Sequence, residues 1–141
     1  MRLMLYLFIS IFILSCSGGN EQEQTMSELS KGDKIPNFTL KDKTGSNFSI
    51  DNVIGKEHMV IYFYPKDDTP GCTKEACSFR DSFEAFTDKG VRVIGISSDS
   101  PASHKKFAEK HNLPFTLLSD PANRVRKLFG VKGNLFGLIP G

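Results

Sequence analysis

Hydrophobic and polar positions change their spacing several times along the chain, and each change marks an element. Phe38 to Leu40 and Asn47 to Ile50 alternate apolar with polar residues around Lys41-Asp42-Lys43-Thr44-Gly45. That pattern predicts an N-terminal β-hairpin with a glycine turn, at the edge of the domain. From Met59 to Tyr64 the run MVIYFY is continuous, β-branched and aromatic, which predicts a strand buried on both faces of a sheet and ended by Pro65. Ala76, Phe79, Phe83 and Phe86 then recur at three- and four-residue steps among charged residues, predicting one amphipathic helix over 72–88 that stops at Gly90. Val91 to Ile96 is a second buried-type strand, Ser100 and Pro101 open a helix running to His111, and Phe115 to Leu118 supplies a further strand. Ala122 to Phe129 is a short helix closed by Gly130.

Strands alternating with helices imply crossover connections and a largely parallel sheet with helices on its faces, the α/β class. A chain of 141 residues holds one such domain, with no room for a second and no internal repeat. The first fifteen residues stand apart from it. Met1 and Arg2 make a minimal positive start, an apolar run extends from Leu3 to Leu14, and Ser15 and Cys16 follow, which is the pattern of a secretory signal peptide. The apolar run falls short of the roughly 20 residues that span a bilayer as a helix. Ile13-Leu14-Ser15-Cys16 resembles a bacterial lipobox, in which the cysteine carries lipid and becomes the new N-terminus. The stretch SGGNEQEQT from Ser17 to Thr25 is polar and lacks periodicity, so it reads as a flexible tether. The expected organisation is therefore a signal peptide at 1–15, a lipidated Cys16 and tether at 16–26, and the domain from residue 27 onward. The expected location is the cell envelope, at a membrane held through that lipid.

A net charge of +2 with scattered acids and bases excludes the basic stripe of a nucleic-acid binder. Three cysteines are too few for a disulfide scaffold, and assigning Cys16 to lipid leaves Cys72 and Cys77 in the domain. His58, His104 and His111 show no zinc-finger spacing with those cysteines, so no metal is expected, and His104 and His111 are expected on a helix surface. Phe79, Phe83 and Phe86 read as core, and Lys105 and Lys106 as a solvated face.

The chemistry concentrates in Tyr62-Phe63-Tyr64-Pro65-Lys66-Asp67-Asp68-Thr69-Pro70-Gly71-Cys72-Thr73-Lys74-Glu75-Ala76-Cys77, which sets a thiol just after a strand, at a helix start. There the free backbone N–H groups and the positive end of the helix dipole favour the ionised sulfur, the form that attacks. Thr69, three residues earlier on the same loop, has a hydroxyl to aim at an oxygen under attack, and Pro65 and Pro70 stiffen the loop. Arg80 lies eight positions beyond Cys72, roughly 12 Å along a helix, which makes it structural rather than catalytic.

Pro65-x-x-x-Thr69-x-x-Cys72 is similar to the active-site motif of the peroxiredoxins, and the run FYPKDDTPGCTKEAC resembles their PrxQ branch, also called bacterioferritin comigratory protein. The likeness extends from about Gly32 to the end of the chain and includes Ser97-Ser98-Asp99-Ser100 and Phe115-Thr116-Leu117-Leu118-Ser119-Asp120. It implies a thioredoxin-like fold and a thiol peroxidase acting on hydrogen peroxide or organic hydroperoxides without metal, flavin or haem. It further implies that Cys72 is peroxidatic and becomes a sulfenic acid, and that Cys77 resolves it as a disulfide. A thioredoxin-like reductant then reopens the bond, and a monomer is expected. The readings to be weighed against this one are a thioredoxin-like disulfide oxidoreductase, whose Cys-x-x-Cys spacing differs from the four intervening residues here, and a redox-inactive envelope lipoprotein.

In that family a catalytic arginine follows a segment like Gly137-Leu138-Ile139-Pro140-Gly141, and two strands and a terminal helix come after it. With the sequence ending at Gly141, the expectation is a domain incomplete at its C-terminus, its strand at 59–64 lacking one neighbour. Such a domain is expected to be marginal or sticky, and a weaker peroxidase than an intact relative. A fragment of a longer reading frame, a decayed copy, or an edge completed by a partner would each account for this. On an intact helix, residues five apart have Cα atoms roughly 8 to 9 Å from each other. A disulfide wants them within about 7 Å, so joining Cys72 to Cys77 is expected to unwind the first helical turn at every turnover.

Overall fold

The computed structural model describes residues 28–132. The signal-type segment, Cys16, the tether and the Gly137–Gly141 segment lie outside them. A hairpin of β1 (Thr39–Asp42) and β2 (Asn47–Ser49) leads through a 3-10 turn at Ile50–Asn52 to β3 (His58–Phe63). Two helices follow, α1 (Pro70–Asp81) and α2 (Phe83–Thr87), then β4 (Val91–Ser97), α3 (Pro101–His111), β5 (Thr116–Ser119) and α4 (Arg124–Leu128). The strands form one five-stranded sheet in the order β2-β1-β5-β4-β3. β3, β4 and β5 are parallel, while β1 runs antiparallel to β5 and β2. This is the expected mixed α/β, thioredoxin-like arrangement, with the hairpin at one edge of the sheet.

Strand alternation divides the core in two. Tyr62, Val93 and Leu117 point to the face covered by α1, α2 and α3, where they join Ala76, Phe107, Ala108 and Phe115. Ile94, Ile96 and Leu118 point to the other face, where Ile50, Val125 and the hairpin residues Phe38 and Leu40 close over them. Phe79, Phe83 and Phe86 pack against the first cluster, as helical spacing indicates.

Three details depart from the sequence expectation. The helix predicted over 72–88 begins at Pro70 and is broken at Ser82. Proline fits the first helical position because its φ is already helical and its missing N–H would have had no partner there. Ser82 sits at φ −100°, ψ 7°, outside the helical range, so α2 is counted as a separate helix from Phe83. The last helix is Arg124–Leu128, two residues later than predicted, because Asn123 adopts a left-handed φ of 51° and ends the preceding turn. Finally, β3 is half-buried along much of its length rather than buried on both faces, because among the described residues it pairs only with β4.

One rung of the sheet ties the fold to the chemical loop. Tyr62, Gly95 and Leu117 are register partners across β3, β4 and β5. A Cβ at Gly95 would lie 2.7 Å from the Tyr62 ring and 2.9 Å from Leu117. The Tyr62 ring has little room to retreat, being stacked 5.4 Å from Tyr64 and 4.7 Å from Phe79. Gly95→Ala is therefore expected to cost about 1–3 kcal/mol as an overpacked core site. A urea titration checks this, and a midpoint equal to wild type would show that the rung is slack.

Candidate functional site

The loop between β3 and α1 is built to end in a sulfur. Tyr64 N–H donates to the Ile96 carbonyl at 3.1 Å, prolonging the β3–β4 ladder by one residue, and Pro65, with no N–H, stops it. Asp68 adopts a left-handed φ of 57°, a conformation that aspartate tolerates better than most residues. Thr69 returns to extended geometry as the N-cap of α1. Its hydroxyl donates to the Lys66 carbonyl at 3.2 Å and makes no capping bond. Pro70 is then the first helical residue, Gly71 the second and Cys72 the third.

The first bond of α1 runs from the Thr73 N–H to the Thr69 carbonyl at 2.9 Å. Among the described residues the N–H groups of Gly71 and Cys72 find no acceptor. Those are the donors a helix start offers to an anion. The Cys72 side chain is buried at 8% exposure among Tyr62, Tyr64 and Ala76, whereas Cys77, further along α1, is half-buried. Both thiols are free. Both also lie inside one unbroken helix, so the separation reasoned from helix geometry applies to them directly. Arg80 donates to the His111 carbonyl at 2.9 Å and pairs with Asp81 at 2.8 Å. It ties α1 to the end of α3.

The loop is also gripped from outside, by residues that sequence reasoning missed. Asp67 is buried at 7% exposure. Its carboxylate accepts from the Ser103 hydroxyl at 2.7 Å and the Tyr64 hydroxyl at 2.8 Å, and it lies 3.0 Å from His104 Nδ1. Its N–H donates to Asp99 Oδ2 at 2.9 Å, and the same oxygen accepts from Ser97 at 2.8 Å. Ser119 donates to the Asp99 carbonyl at 2.6 Å. The ends of β4 and β5 thus hold the backbone of Asp67 while α3 holds its side chain.

His104 corrects an expectation: it is wholly buried, where a surface position was predicted. Positions 104, 107, 108 and 111 form the inward stripe of α3, with Phe107 and Ala108 also buried. That spacing was the available signal. An ionised Asp67 can only accept, so Nδ1 carries the imidazole proton. The other nitrogen, Nε2, is buried without a partner among the described residues, which costs about 1–3 kcal/mol. His111 lies at the helix end, only partly covered, with its Nε2 3.0 Å from Asp68, which Lys110 also contacts at 2.9 Å.

Burial pushes the Asp67 carboxyl up, but bonds from His104, Ser103 and Tyr64 outweigh it and leave the group below its ordinary 3.8. Burial, then the Asp67 charge, drives Tyr64 upward, so its hydroxyl stays protonated and donating. Among the described residues no cluster of three histidine, cysteine or acidic side chains is arranged to hold a metal ion.

The AhpC/TSA family profile matches residues 31–139. The chain is 51% identical to the chloroplastic peroxiredoxin Q of Populus jackii over 125 residues, 89% of this chain and 58% of that protein. It is 58% identical to that of Triticum aestivum over 114 residues, 81% of this chain and 52% of the relative. The chain thus spans between half and three-fifths of the length of these curated relatives. Among solved structures it is similar to the peroxidoxin BcpB of Mycobacterium tuberculosis, with a TM-score of 0.69 and 40% identity, covering 75% of this chain and 69% of that one. It is also similar to a peroxiredoxin Q of Xanthomonas campestris, with a TM-score of 0.65 and 35% identity over 72% of this chain and 65% of the other.

A carboxyl more acidic folded than unfolded stabilises the protein above its unfolded value, and that stabilisation disappears as the pH falls through the folded one. Wild type is therefore expected to lose stability as the pH falls below the ordinary carboxylate range, and Asp67→Asn to show a lower stability at neutral pH and a flatter acid profile. Thermal melts across that range check it, and parallel profiles for the two proteins would show that Asp67 is not the group concerned.

Proposed function

The chain belongs to the AhpC/TSA family, within its peroxiredoxin Q branch, and from that premise we propose that it is a thiol peroxidase whose nucleophile is Cys72. The observation that carries this reading is the place of that residue. It is the third residue of α1, beside two backbone N–H groups that have no other acceptor among the described residues.

The ionised sulfur attacks the distal oxygen of a hydroperoxide. The S–O bond forms as the O–O bond breaks, and the departing oxygen takes up a proton and leaves as water or an alcohol. Donors fixed at the helix start stabilise the negative charge that spreads over sulfur and oxygens during that step. We assign Thr69 to orient the peroxide and Pro65 to hold the loop ahead of it. The Cys77 thiol then condenses with the Cys72 sulfenic acid, forming the S–S bond and releasing water. A dithiol reductant of the thioredoxin type reopens the bond by exchange and carries the disulfide away. Closing that disulfide requires α1 to open, since an intact helix holds the two Cα atoms roughly 8 to 9 Å apart. Hydrogen peroxide and organic hydroperoxides both suit the site, because only the O–O bond need reach the sulfur. Export and a lipid anchor on Cys16 belong to the same proposal, supported by the sequence pattern alone, and palmitate labelling that survives Cys16→Ala would remove them.

Thiol titration tests the chemistry. One equivalent of hydrogen peroxide is expected to consume both the Cys72 and Cys77 thiols of the reduced chain, Cys77→Ser is expected to lose the Cys72 thiol to sulfenic acid, and Cys72→Ser to keep the Cys77 thiol. A wild-type chain that keeps both thiols would overturn the reading.

A further inference from the structure

Two neighbouring aspartates of the loop are fastened to one helix at points two turns apart. Asp67 is held by Ser103 and His104 near the start of α3, and Asp68 by Lys110 and His111 at its end. The left-handed φ of Asp68 turns the backbone between the two, so that adjacent side chains reach sites separated by about 10 Å along the helix. The two fastenings differ in strength. The Asp68 pair is exposed, with 61% of Lys110 and 43% of Asp68 accessible, and solvent screens it. The Asp67 cluster is dry, with His104 at 0% and Asp67 at 5% side-chain exposure.

A buried acid–base pair is weak evidence for stability in itself, since a well-packed apolar pair serves as well or better. Here one imidazole nitrogen is also left unpartnered among the described residues. What the cluster does provide is a fixed position. Asp67 lies two residues before the N-cap of α1 and five before Cys72, and its backbone is tied separately to Asp99.

We propose that α3 is a splint for the start of α1 and that Asp67 is a positioning residue, which holds the loop up to Thr69 still while the helix beyond it opens and closes. The proposal rests on the peroxide reading of Cys72. Under it, the folded helix start needed for attack on peroxide is restored after each turnover, because the segment upstream never leaves α3. Without the splint, opening spreads back into the loop, so the folded start is populated less and the unwound form more.

Two single-turnover reactions on the full chain separate the consequences. Peroxide oxidation of Cys72 needs the folded start. Diamide closure of the Cys72–Cys77 disulfide needs the unwound one: one sulfur adds to the N=N bond, the second displaces it, and diamide leaves as the hydrazine carrying both thiol protons. Asp67→Asn is expected to slow the peroxide step about tenfold or more, as misplaced reacting groups do, and to speed diamide closure about threefold through easier local opening. Ser103→Ala, which removes one donor from the carboxylate, moves both rates in the same senses by less. Val125→Ala, which loosens the opposite face of the sheet, leaves the ratio of the two rates unchanged. A folded Asp67→Asn whose two rates shift together, or not at all, would overturn the splint, and if that variant does not fold, Ser103→Ala decides by the same criterion. A wild type inert to peroxide, with diamide closure still accelerated in the variants, would remove the peroxidase reading and leave the splint standing.

Discussion

Where α1 begins is settled by a proline, and the chemistry of the site follows from that placement. Pro70 takes the first helical position, which makes Cys72 the third residue and leaves the N–H groups of Gly71 and Cys72 without partners among the described residues. Move the start by one residue and the sulfur turns about 100° around the helix axis, away from its place among Tyr62, Tyr64 and Ala76. The loop cannot absorb such a shift freely. The β3–β4 ladder fixes it at one end through Tyr64, and the serine and aspartate bonds after β4 and β5 fix its middle through Asp67.

Under the proposed chemistry, the helix that presents the sulfur opposes the step that follows. Cys72 and Cys77 share α1 without a break, so the folded helix keeps the two sulfurs apart. In the proposed cycle, attack and resolution therefore call for two conformations of one segment. The buried rung of Tyr62, Gly95 and Leu117 beneath the helix and the polar cluster on α3 are the parts that need not change between them. Under the splint proposal, rigid surroundings confine that opening to a short stretch, where the lost hydrogen bonds are few.

Much of this was legible in the residues. The glycine turn between two alternating runs located the hairpin. Ser100 and Pro101 located the start of α3, where the Ser100 hydroxyl does accept the Ser103 N–H. The strand ending at Pro65 and the helix start near Cys72 marked the loop between β3 and α1. What stayed hidden depended on contacts distant in sequence. His104 meets Asp67, 37 residues away, and the expectation for α3 rested on its Ser100–Pro101 start, not on the 104, 107, 108 and 111 stripe. The break at Ser82 has no glycine or proline to announce it. The partial exposure of β3 follows from its place in the sheet order, which an apolar run does not encode.

The most direct test of the central claim is the rate at which reduced Cys72 reacts with hydrogen peroxide, measured by competition on the full chain and set against free cysteine under the same conditions. If the helix start and its loop activate the sulfur, the rate exceeds that of the free thiol by about a hundredfold or more, the scale on which fixed backbone donors act. It is also retained in Cys77→Ser. A rate equal to that of free cysteine would contradict the account at its root.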